Sequence, residues 1–257
     1  MRGAKRFGVA RVISKLGYCS RSQAGALLRE NRVRVNGRLV RDPETPVRIG
    51  QDRIEVDGSA IKKQTPVYLA MNKPRGIVTT ASDEKGRATV YDLLDGTGPW
   101  VAPVGRLDKA SEGLLLLTND SQWAAKVTDP ASHLHKTYHV QVDRFVNDDL
   151  LAMINRGCVV DGEYLKAKLV RRLRGGEKNS WVEIVLDEGK NRQIRRLLEA
   201  LGVGVLRLVR ISIGPLELGV LKKGSVRGLT EKEKLAIDCA MARQARERHV
   251  SHRRTED

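Results

Sequence analysis

Cysteine and aromatic residues are both scarce in this chain. Its 257 residues include three cysteines, Cys19, Cys158 and Cys239, and only 4% are aromatic. The cysteines lie far apart and form no CxxC pair, which argues against a zinc site and against a disulfide framework. Cysteine usage of this kind fits a reducing compartment, so we expect a cytoplasmic protein. The few aromatic side chains leave few candidates for stacking on a ligand ring.

Long apolar segments and nucleotide-binding motifs are also missing. No apolar run approaches the roughly 20 residues that a membrane-spanning helix needs, and the basic start MRGAKRFGVARVISKLG lacks the apolar core of a signal peptide. No GxxxxGK[ST] motif occurs, which excludes a P-loop. The histidines at 133, 135 and 139 fall around a segment with strand periodicity, so they lack the helical HxxxH geometry of a metal site. We expect no membrane association and no metal.

Acidic residues are strongly outnumbered. The chain has 31 Asp and Glu against 47 Lys and Arg, which gives a net charge of +16 and an isoelectric point near 10.1. An excess of this size favours an anionic polymer as the partner, because each neutralised phosphate releases condensed counterions. We therefore expect a nucleic-acid partner. The alternative is a soluble enzyme that is basic for unrelated reasons.

The first part of the chain, residues 7–58, has the pattern of a small separate domain. The segment VARVISKLG has helical periodicity and ends at a glycine, a common helix C-terminus. Ser20 and Gln23 have the spacing of a capping box and predict the start of a second helix. Asn36-Gly37, between two short apolar segments, predicts a hairpin, and VRIGQDRIEVDG predicts one more strand.

The remaining chain is predicted to be an α+β domain. Residues 59–66 are polar and read as a linker, and strand-like and helix-like segments then alternate through residues 67–228. Short connections between intermixed elements favour a largely antiparallel mixed sheet. NRQIRRLLEALG is predicted to be an amphipathic helix. Residues 229–257 are predicted to be a terminal helix followed by the basic tail RHVSHRRTED.

The segment GRLDKASEGLLLLTND, which begins at Gly105, contains the candidate reactive group. The four leucines predict a buried strand, so Asp108 would lie on a loop that core packing holds in place. From the residues alone, Asp108 is either a turn residue or a reagent. If Asp108 acts together with Glu112, the two carboxylates would suggest a glycoside hydrolase.

The same segment resembles the signature of RNA pseudouridine synthases of the RsuA-type branch. KTYHVQV and DEGKNRQIRRLLEALG, followed by LRLVRISIG, resemble further segments of that family, in the same order. SRSQAGALLRENRVRVNGRLV resembles the S-four RNA-binding domain, also called the alpha-L motif, which precedes the catalytic domain in this branch. The resemblance covers residues 7–228.

The resemblance implies that the chain converts a uridine to pseudouridine. Uracil leaves the anomeric carbon of ribose, turns and rejoins through a ring carbon, so the reaction needs no cofactor. The implied catalytic residues are Asp108, which either attacks the sugar or removes a sugar proton, Tyr138, which stacks on the base, and Arg195, which pairs with Asp108. The implied supporting residues are Arg106, which fills the gap left by the flipped base, Leu107, Lys190 and Arg192.

The S-four resemblance implies RNA contacts along the second helix and the hairpin. The alternative is a solvated basic surface without a partner. The residues expected to contact RNA are Lys15, Ser20, Arg21, Arg32, Arg34, Asn36 and Arg38.

Together these features predict an enzyme that modifies ribosomal RNA. We expect a monomer that acts on one uridine or very few, in large-subunit rather than small-subunit RNA. The alternative from another class is a non-catalytic RNA-binding or ribosome-assembly protein on the same scaffold. A carboxylate-pair hydrolase would not explain the basic N-terminal domain.

Overall fold

A computed structural model gives the fold of residues 5–253, except for residues 82, 84, 95, 97 and 177. The chain divides into two spatial units. The first unit comprises Met1–Tyr68, Asp95–Pro103 and Leu117–Trp123, and the second comprises Leu69–Leu94, Val104–Leu116 and Ala124–Asp257. None of the helices described is long and apolar enough to cross a membrane.

The N-terminal segment forms two helices and two small sheets. Strands β1 and β4 pair with each other, and β3, β2, β5 and β6 form a four-stranded sheet in that order. Apolar side chains of both helices and of strands β2, β4 and β5 form one buried core. The elements are β1 (Arg6–Gly8), α1 (Val9–Lys15), α2 (Arg21–Arg29), β2 (Val33–Val35), β3 (Arg38–Leu39), β4 (Pro46–Arg48), β5 (Ile54–Val56) and β6 (Ser59–Ala60).

The helix start and the hairpin predicted here are both confirmed. The Ser20 side chain accepts a hydrogen bond from the Gln23 backbone N–H at 3.1 Å, and the Gln23 side chain accepts one from the Ser20 N–H at 2.9 Å. Asn36 and Gly37 form the turn between β2 and β3 with φ angles of 52° and 78°. Positive φ at both positions is the requirement of a tight hairpin turn of this type.

Two details of this region differ from the prediction. VRIGQDRIEVDG forms two strands rather than one, because residues 49–53 turn back between β4 and β5 and the Asp52 carboxylate accepts a hydrogen bond from the Arg48 N–H at 2.6 Å. The expected linker 59–66 begins with strand β6, because Asp57 and Gly58 form a second tight turn with positive φ. The domain boundaries themselves stay a prediction.

The rest of the chain contributes eleven strands and four helices to the described structure. Short 3₁₀ turns lie at Val90–Leu93 and Pro130–Ser132. The elements are β7 (Tyr68–Lys73), β8 (Ala102–Val104), β9 (Glu112–Thr118), α3 (Ser121–Thr128), β10 (Lys136–Val142), α4 (Asp148–Arg156), β11 (Cys158–Val160), β12 (Glu163–Leu165), β13 (Leu169–Gly175), β14 (Ser180–Leu186), α5 (Gln193–Ala200), β15 (Val205–Ile213), β16 (Leu216–Glu217), β17 (Val226–Gly228) and α6 (Glu231–Arg253).

A nine-stranded mixed sheet is the main element of this part. Its principal order is β13-β14-β10-β15-β9-β7-β17, and β8 and β16 complete it. The pairs β13–β14, β14–β10, β10–β15 and β7–β17 are antiparallel, whereas β15 and β9 are parallel. The expected α+β class with a largely antiparallel sheet is confirmed.

Strand β9 is buried along its whole length. All four leucines, Leu114–Leu117, are fully buried, although successive side chains of a strand point to opposite faces. Both faces of the strand are therefore covered, as the apolar run predicted. This strand begins four residues after Asp108 and fixes one end of the loop that carries it.

Helix α6 is longer than predicted. The helix begins with a capping box formed by Thr230 and Glu233, with reciprocal bonds of 2.8 and 3.2 Å. The helix continues to Arg253, through most of the segment expected to be a tail, because no glycine or proline interrupts it. Residues 254–257 lie outside the described part of the chain.

Strand β9 approaches β15 closely enough to require a glycine. Gly113 has φ +102°, and a Cβ atom at this position would lie 2.3 Å from the Arg210 carbonyl oxygen. We expect Gly113→Ala to reduce the free energy of unfolding by more than about 1 kcal/mol, measured by denaturant titration.

Gly162→Ala is the matched control. Gly162 has φ +76°, but a Cβ there would meet no atom within 4 Å, so its substitution tests the backbone conformation alone. An equal loss of stability in the two variants would contradict the importance of the close approach.

Candidate active site

One cleft in the second unit brings together every catalytic and supporting residue predicted from the sequence. Its volume is about 470 Å³, and it is bordered by the Asp108 loop, the N-terminal part of α5, and strands β10 and β15. The assignment of roles to these residues stays a prediction. The predicted residues that line the cleft are Arg106, Leu107, Asp108, Tyr138, Lys190, Arg192 and Arg195.

The loop that carries Asp108 is held by its backbone. Each carbonyl oxygen from residue 107 to residue 111 accepts a hydrogen bond from elsewhere in the unit. A loop whose carbonyl groups are all bonded has little freedom to move, so the Asp108 side chain is presented from a fixed position. In chain order the donors are Thr79 Oγ1 (2.7 Å), Lys73 Nζ (3.1 Å), the Gly76 N–H (2.8 Å), Arg195 Nη2 (3.1 Å) and Lys73 Nζ again (2.9 Å).

Lys73 is the central donor in this arrangement, and it was not predicted from the sequence. It is fully buried at the end of β7, and its ammonium group also donates to the Pro74 carbonyl at 3.1 Å. Burial lowers the pKa of Lys73 to about 8, although the charges of Asp108 and Glu112 act in the opposite direction. The only feature of the sequence that could have pointed to Lys73 is the proline that follows it at the end of a strand-like segment.

The charged partner of Asp108 differs from the expected one. Arg192 Nη1 lies 3.9 Å from Asp108 Oδ2, whereas Arg195, expected to form this pair, donates to the Ala110 carbonyl. Arg192 is the N-cap of α5 with a left-handed backbone, φ 47°, which places it outside the regular helix. Burial and the adjacent Arg192 charge lower the pKa of Arg195, and the Asp108 charge partly offsets them.

Glu112 does not form a catalytic pair with Asp108. It is absent from the cleft lining, and its buried carboxylate is bonded to Arg207 at 3.1 Å and to Lys223 at 2.5 Å. Burial disfavours its ionisation, but these two hydrogen bonds outweigh burial and hold the pKa of Glu112 below its ordinary value. The position and partners of Glu112 argue against the glycosidase alternative.

Tyr138 and Lys190 lie in different environments within the cleft. Tyr138 is buried on β10, directly opposite Arg210 of β15. Lys190 is held on the other side by Glu188 at 3.0 Å and Glu163 at 3.6 Å. The hydrogen bond to Glu188, with further support from Glu163, raises the pKa of Lys190. Its charge is already balanced by two carboxylates, which leaves it less available to an RNA phosphate.

Several of the side chains expected to bind RNA have structural contacts in the first unit. Ser20 caps α2, and Asn36 bridges Asp52 and the Arg53 N–H, each at 2.9 Å. Arg32 is bonded to Asp57 and Glu30. Arg34 donates to the Gly37 carbonyl, and Lys15 lies 3.8 Å from the ring centroid of Phe7.

Arg21 and Arg38 differ from the rest of that set. Both are exposed, and no side-chain hydrogen bond or ion pair to another described residue is found for either. Their guanidinium groups are therefore the most available for an anionic partner among the seven residues predicted.

No group of His, Cys, Asp and Glu side chains suited to a metal ion is found among the described residues. Two of the three histidines near β10 have carboxylate neighbours instead. His135 Nδ1 lies 2.6 Å from Asp187, and His139 Nε2 lies 3.4 Å from Glu183.

Three further residues that line the cleft were not predicted from the sequence. Ser111, Lys136 and Arg210 line it together with the predicted set. Arg210 had a detectable signal, because it occupies an inward position of the apolar strand β15, two residues after the buried Leu208. A charged residue at a core position departs from the pattern of an ordinary strand.

Comparisons with known proteins identify the family. Residues 67–200 match the profile of the RNA pseudouridylate synthase family, and residues 8–54 match that of the S4 domain. The chain is 38% identical to the ribosomal large subunit pseudouridine synthase B of Bacillus subtilis, over 87% of this chain and 92% of the relative. It is 39% identical to an uncharacterised RNA pseudouridine synthase of Rickettsia prowazekii, over 90% and 98% of the two chains.

A solved structure gives the same result. The crystal structure of a pseudouridylate synthase superposes with a TM-score of 0.62 at 30% identity, covering 90% of this chain and 99% of the other. The family profile, the relatives and the solved structure agree with one another, and the chain belongs to the RNA pseudouridine synthase family, with an N-terminal S4 domain.

Proposed function

We propose that this enzyme isomerises a uridine of ribosomal RNA, with Asp108 as the reacting carboxylate. The observation that carries the proposal is the placement of Asp108 in the cleft, on a loop whose carbonyl oxygens from residue 107 to residue 111 are all hydrogen-bonded. Large-subunit RNA is the favoured substrate, because the Bacillus subtilis relative is named for it. The reaction is redox-neutral and rearranges a single nucleotide, so we propose that it proceeds without a cofactor.

A reactive carboxylate must be ionised and correctly aimed. Arg192 Nη1 lies 3.9 Å from Asp108 Oδ2 in this structure, which places a positive charge beside the carboxylate and helps to aim it. Arg195 instead donates a hydrogen bond to the carbonyl oxygen of Ala110. A change of partner from Arg192 to Arg195 on RNA binding would free Arg192 for phosphate and bring the expected pair together.

The substrate must leave the RNA stack to reach Asp108. Enzymes that act on bases in structured nucleic acids extrude the nucleotide, at a cost of a few kcal/mol. Arg106 is exposed and lies two residues before Asp108, which suits a side chain that fills the vacated position. Buried Tyr138 supplies an aromatic face for the extruded base.

The S4 domain is proposed to dock the ribosomal RNA. Arg21 and Arg38 support this role, because their exposed guanidinium groups have no carboxylate partner in the described part of the chain. The other predicted residues contribute mainly by shaping the helix and the hairpin that present these two charges.

Asp108→Asn is expected to abolish pseudouridine formation in rRNA transcripts, because an amide is neither a nucleophile nor a base of comparable strength. Pseudouridine mapping on the transcripts measures the product, and a filter-binding titration should give an RNA dissociation constant close to that of the wild type. Asp149→Asn, at an exposed position in the first turn of α4, is the control and should retain full activity. Turnover by Asp108→Asn would refute the mechanism, and a wild-type protein that binds rRNA without making pseudouridine would refute the activity.

Arg21→Gln and Arg38→Gln are expected to weaken RNA binding with little effect on the rate at saturating RNA. Each lost phosphate contact should reduce the slope of log K against log salt by about 1, measured by binding titrations from low to high salt. Arg53→Gln is the matched control in the same unit, because Arg53 is already paired with Glu55 at 2.7 Å. An unchanged salt slope in both test variants would contradict docking through these side chains.

Lys73→Met is expected to lower the free energy of unfolding by about 3 kcal/mol, because it removes a buried charged donor from three carbonyl groups. The rate of product formation should also fall, since the Asp108 loop loses two of its bonds. Denaturant titration and single-turnover kinetics measure the two effects. Lys232→Met, at an exposed position on α6, should change stability by no more than about 0.5 kcal/mol. Wild-type stability and rate in Lys73→Met would remove the assigned role of Lys73.

A further inference from the structure

Three buried polar atoms of the cleft lack a hydrogen-bond partner in the described structure. They are Ser111 Oγ, Arg195 Nε and Arg210 Nη2, and all three residues line the cleft. Buried polar groups in folded proteins are nearly always bonded, and the exceptions need an explanation. Three such atoms around one cleft indicate a ligand rich in hydrogen-bond acceptors.

Arg210 is the most unusual member of this group. It is only 6% exposed, and its Nε atom donates to the Leu114 carbonyl at 2.7 Å, which fixes the plane of the guanidinium. No carboxylate among the described residues lies within ion-pair distance of it. An uncompensated buried charge is strongly unfavourable, so the fold alone gives no reason to keep an arginine at this position.

Lys136 is a second cation in the cleft. Like Arg210, it lies on the part of the lining that strands β10 and β15 form, which we call the floor. It lies on β10 two residues before Tyr138, and Tyr138 is directly opposite Arg210 in the sheet register. Residues two apart in a strand share a face, so Lys136, Tyr138 and Arg210 present their side chains to the same side of the sheet. Burial and the charge of Arg210 lower the pKa of Lys136, with Asp187 acting in the opposite direction.

We propose that Arg210, Lys136 and Ser111 bind the uracil ring of the extruded nucleotide, and that the two cations stabilise the negative charge that develops on it. This inference rests on the function proposed above. It assigns the binding of the base to the floor formed by the sheet, and leaves Asp108 to act on the sugar.

The base acquires a negative charge whether Asp108 attacks the sugar or removes a sugar proton. When the C1′–N1 bond breaks, its electron pair stays on uracil, so the detached base is an anion. The sugar is balanced either by a bond from Asp108 to C1′ or by transfer of a sugar proton to Asp108. The base then turns, and a C5–C1′ bond forms from an electron pair of the ring while the Asp108–C1′ bond breaks or Asp108 returns its proton to the sugar, which regenerates the carboxylate. C5 then loses its proton and N1 gains one. Fixed donors that face such a developing charge are among the strongest contributions to catalysis.

The depth of these residues favours the base over the RNA backbone as their ligand. Arg106 and Arg192, at the rim, are exposed and accessible to phosphates, which stay with the rest of the RNA chain. Arg210, in contrast, is buried on the strand that forms the floor. Only an extruded base reaches that depth, and its two carbonyl oxygens supply the missing acceptors.

Arg210→Met tests the proposal in single-turnover reactions on an rRNA that the wild-type protein modifies. We expect the rate of the chemical step to fall by about 10²-fold or more, the loss typical of removing one donor to a developing anion. The RNA dissociation constant should change by less than about threefold, because the interaction strengthens mainly as the bond breaks. Arg174→Met is the matched control, since Arg174 is exposed on β13 beside Trp181 and should leave the rate unchanged.

Lys136→Met is the second variant, for the case in which Arg210→Met does not fold. Its side chain is only partly buried, and we expect a loss of at least about tenfold in the same step. Thermal unfolding of each variant separates a folding defect from a kinetic one.

A wild-type rate of the chemical step in the folded Arg210→Met variant, or in Lys136→Met where only that variant folds, would overturn the proposal. A second outcome would also overturn the proposal. If the variant binds RNA more weakly, with a salt slope reduced by about 1, and the rate of the chemical step is unchanged, the substituted cation contacts a phosphate and not the base. Failure of the wild-type protein to form pseudouridine is a different result, because it contradicts the proposed function itself.

Discussion

The site depends on one buried ammonium group. Lys73 joins the end of β7 to the loop after β8 through the carbonyls of Asp108 and Ser111, so two segments more than 30 residues apart become one rigid unit. Water cannot replace this donor in a dry interior, which makes the loop and the strand mutually dependent. The same group places a positive charge beneath Asp108 without contacting its carboxylate. Geometry and electrostatics at Asp108 thus have a common origin.

The local features of the fold were predictable from the sequence, because their causes are local. The capping box at Ser20, the Asn36-Gly37 turn and the four buried leucines each depend on residues close together in the chain. Asp108 was ambiguous from spacing alone, and its assignment came from the resemblance. Lys73 and Arg210 were missed because their partners lie 35 to 38 and 96 residues away, and only the folded sheet brings them together.

The pairing of Asp108 shows a second limit of sequence reasoning. Arg192 and Arg195 are three positions apart, and helical periodicity would put both near the same face. The helix instead begins at Gln193, with Arg192 in a left-handed conformation before it, so the two guanidinium groups approach the loop from different directions. The count of 47 Lys and Arg residues likewise overstates the cations that are available to RNA, since some of them, such as Arg32, are already paired with carboxylates within the fold.

The loop around Asp108 is fixed by main-chain atoms, and this separates its shape from the identity of its side chains. Lys109 and Ala110 contribute only their carbonyl oxygens to the bonds that hold it. Substitutions at these two positions can therefore alter the surface next to the Asp108 carboxylate while the carboxylate itself stays in place. Single substitutions on such a loop can therefore change which RNA is preferred without moving the Asp108 side chain.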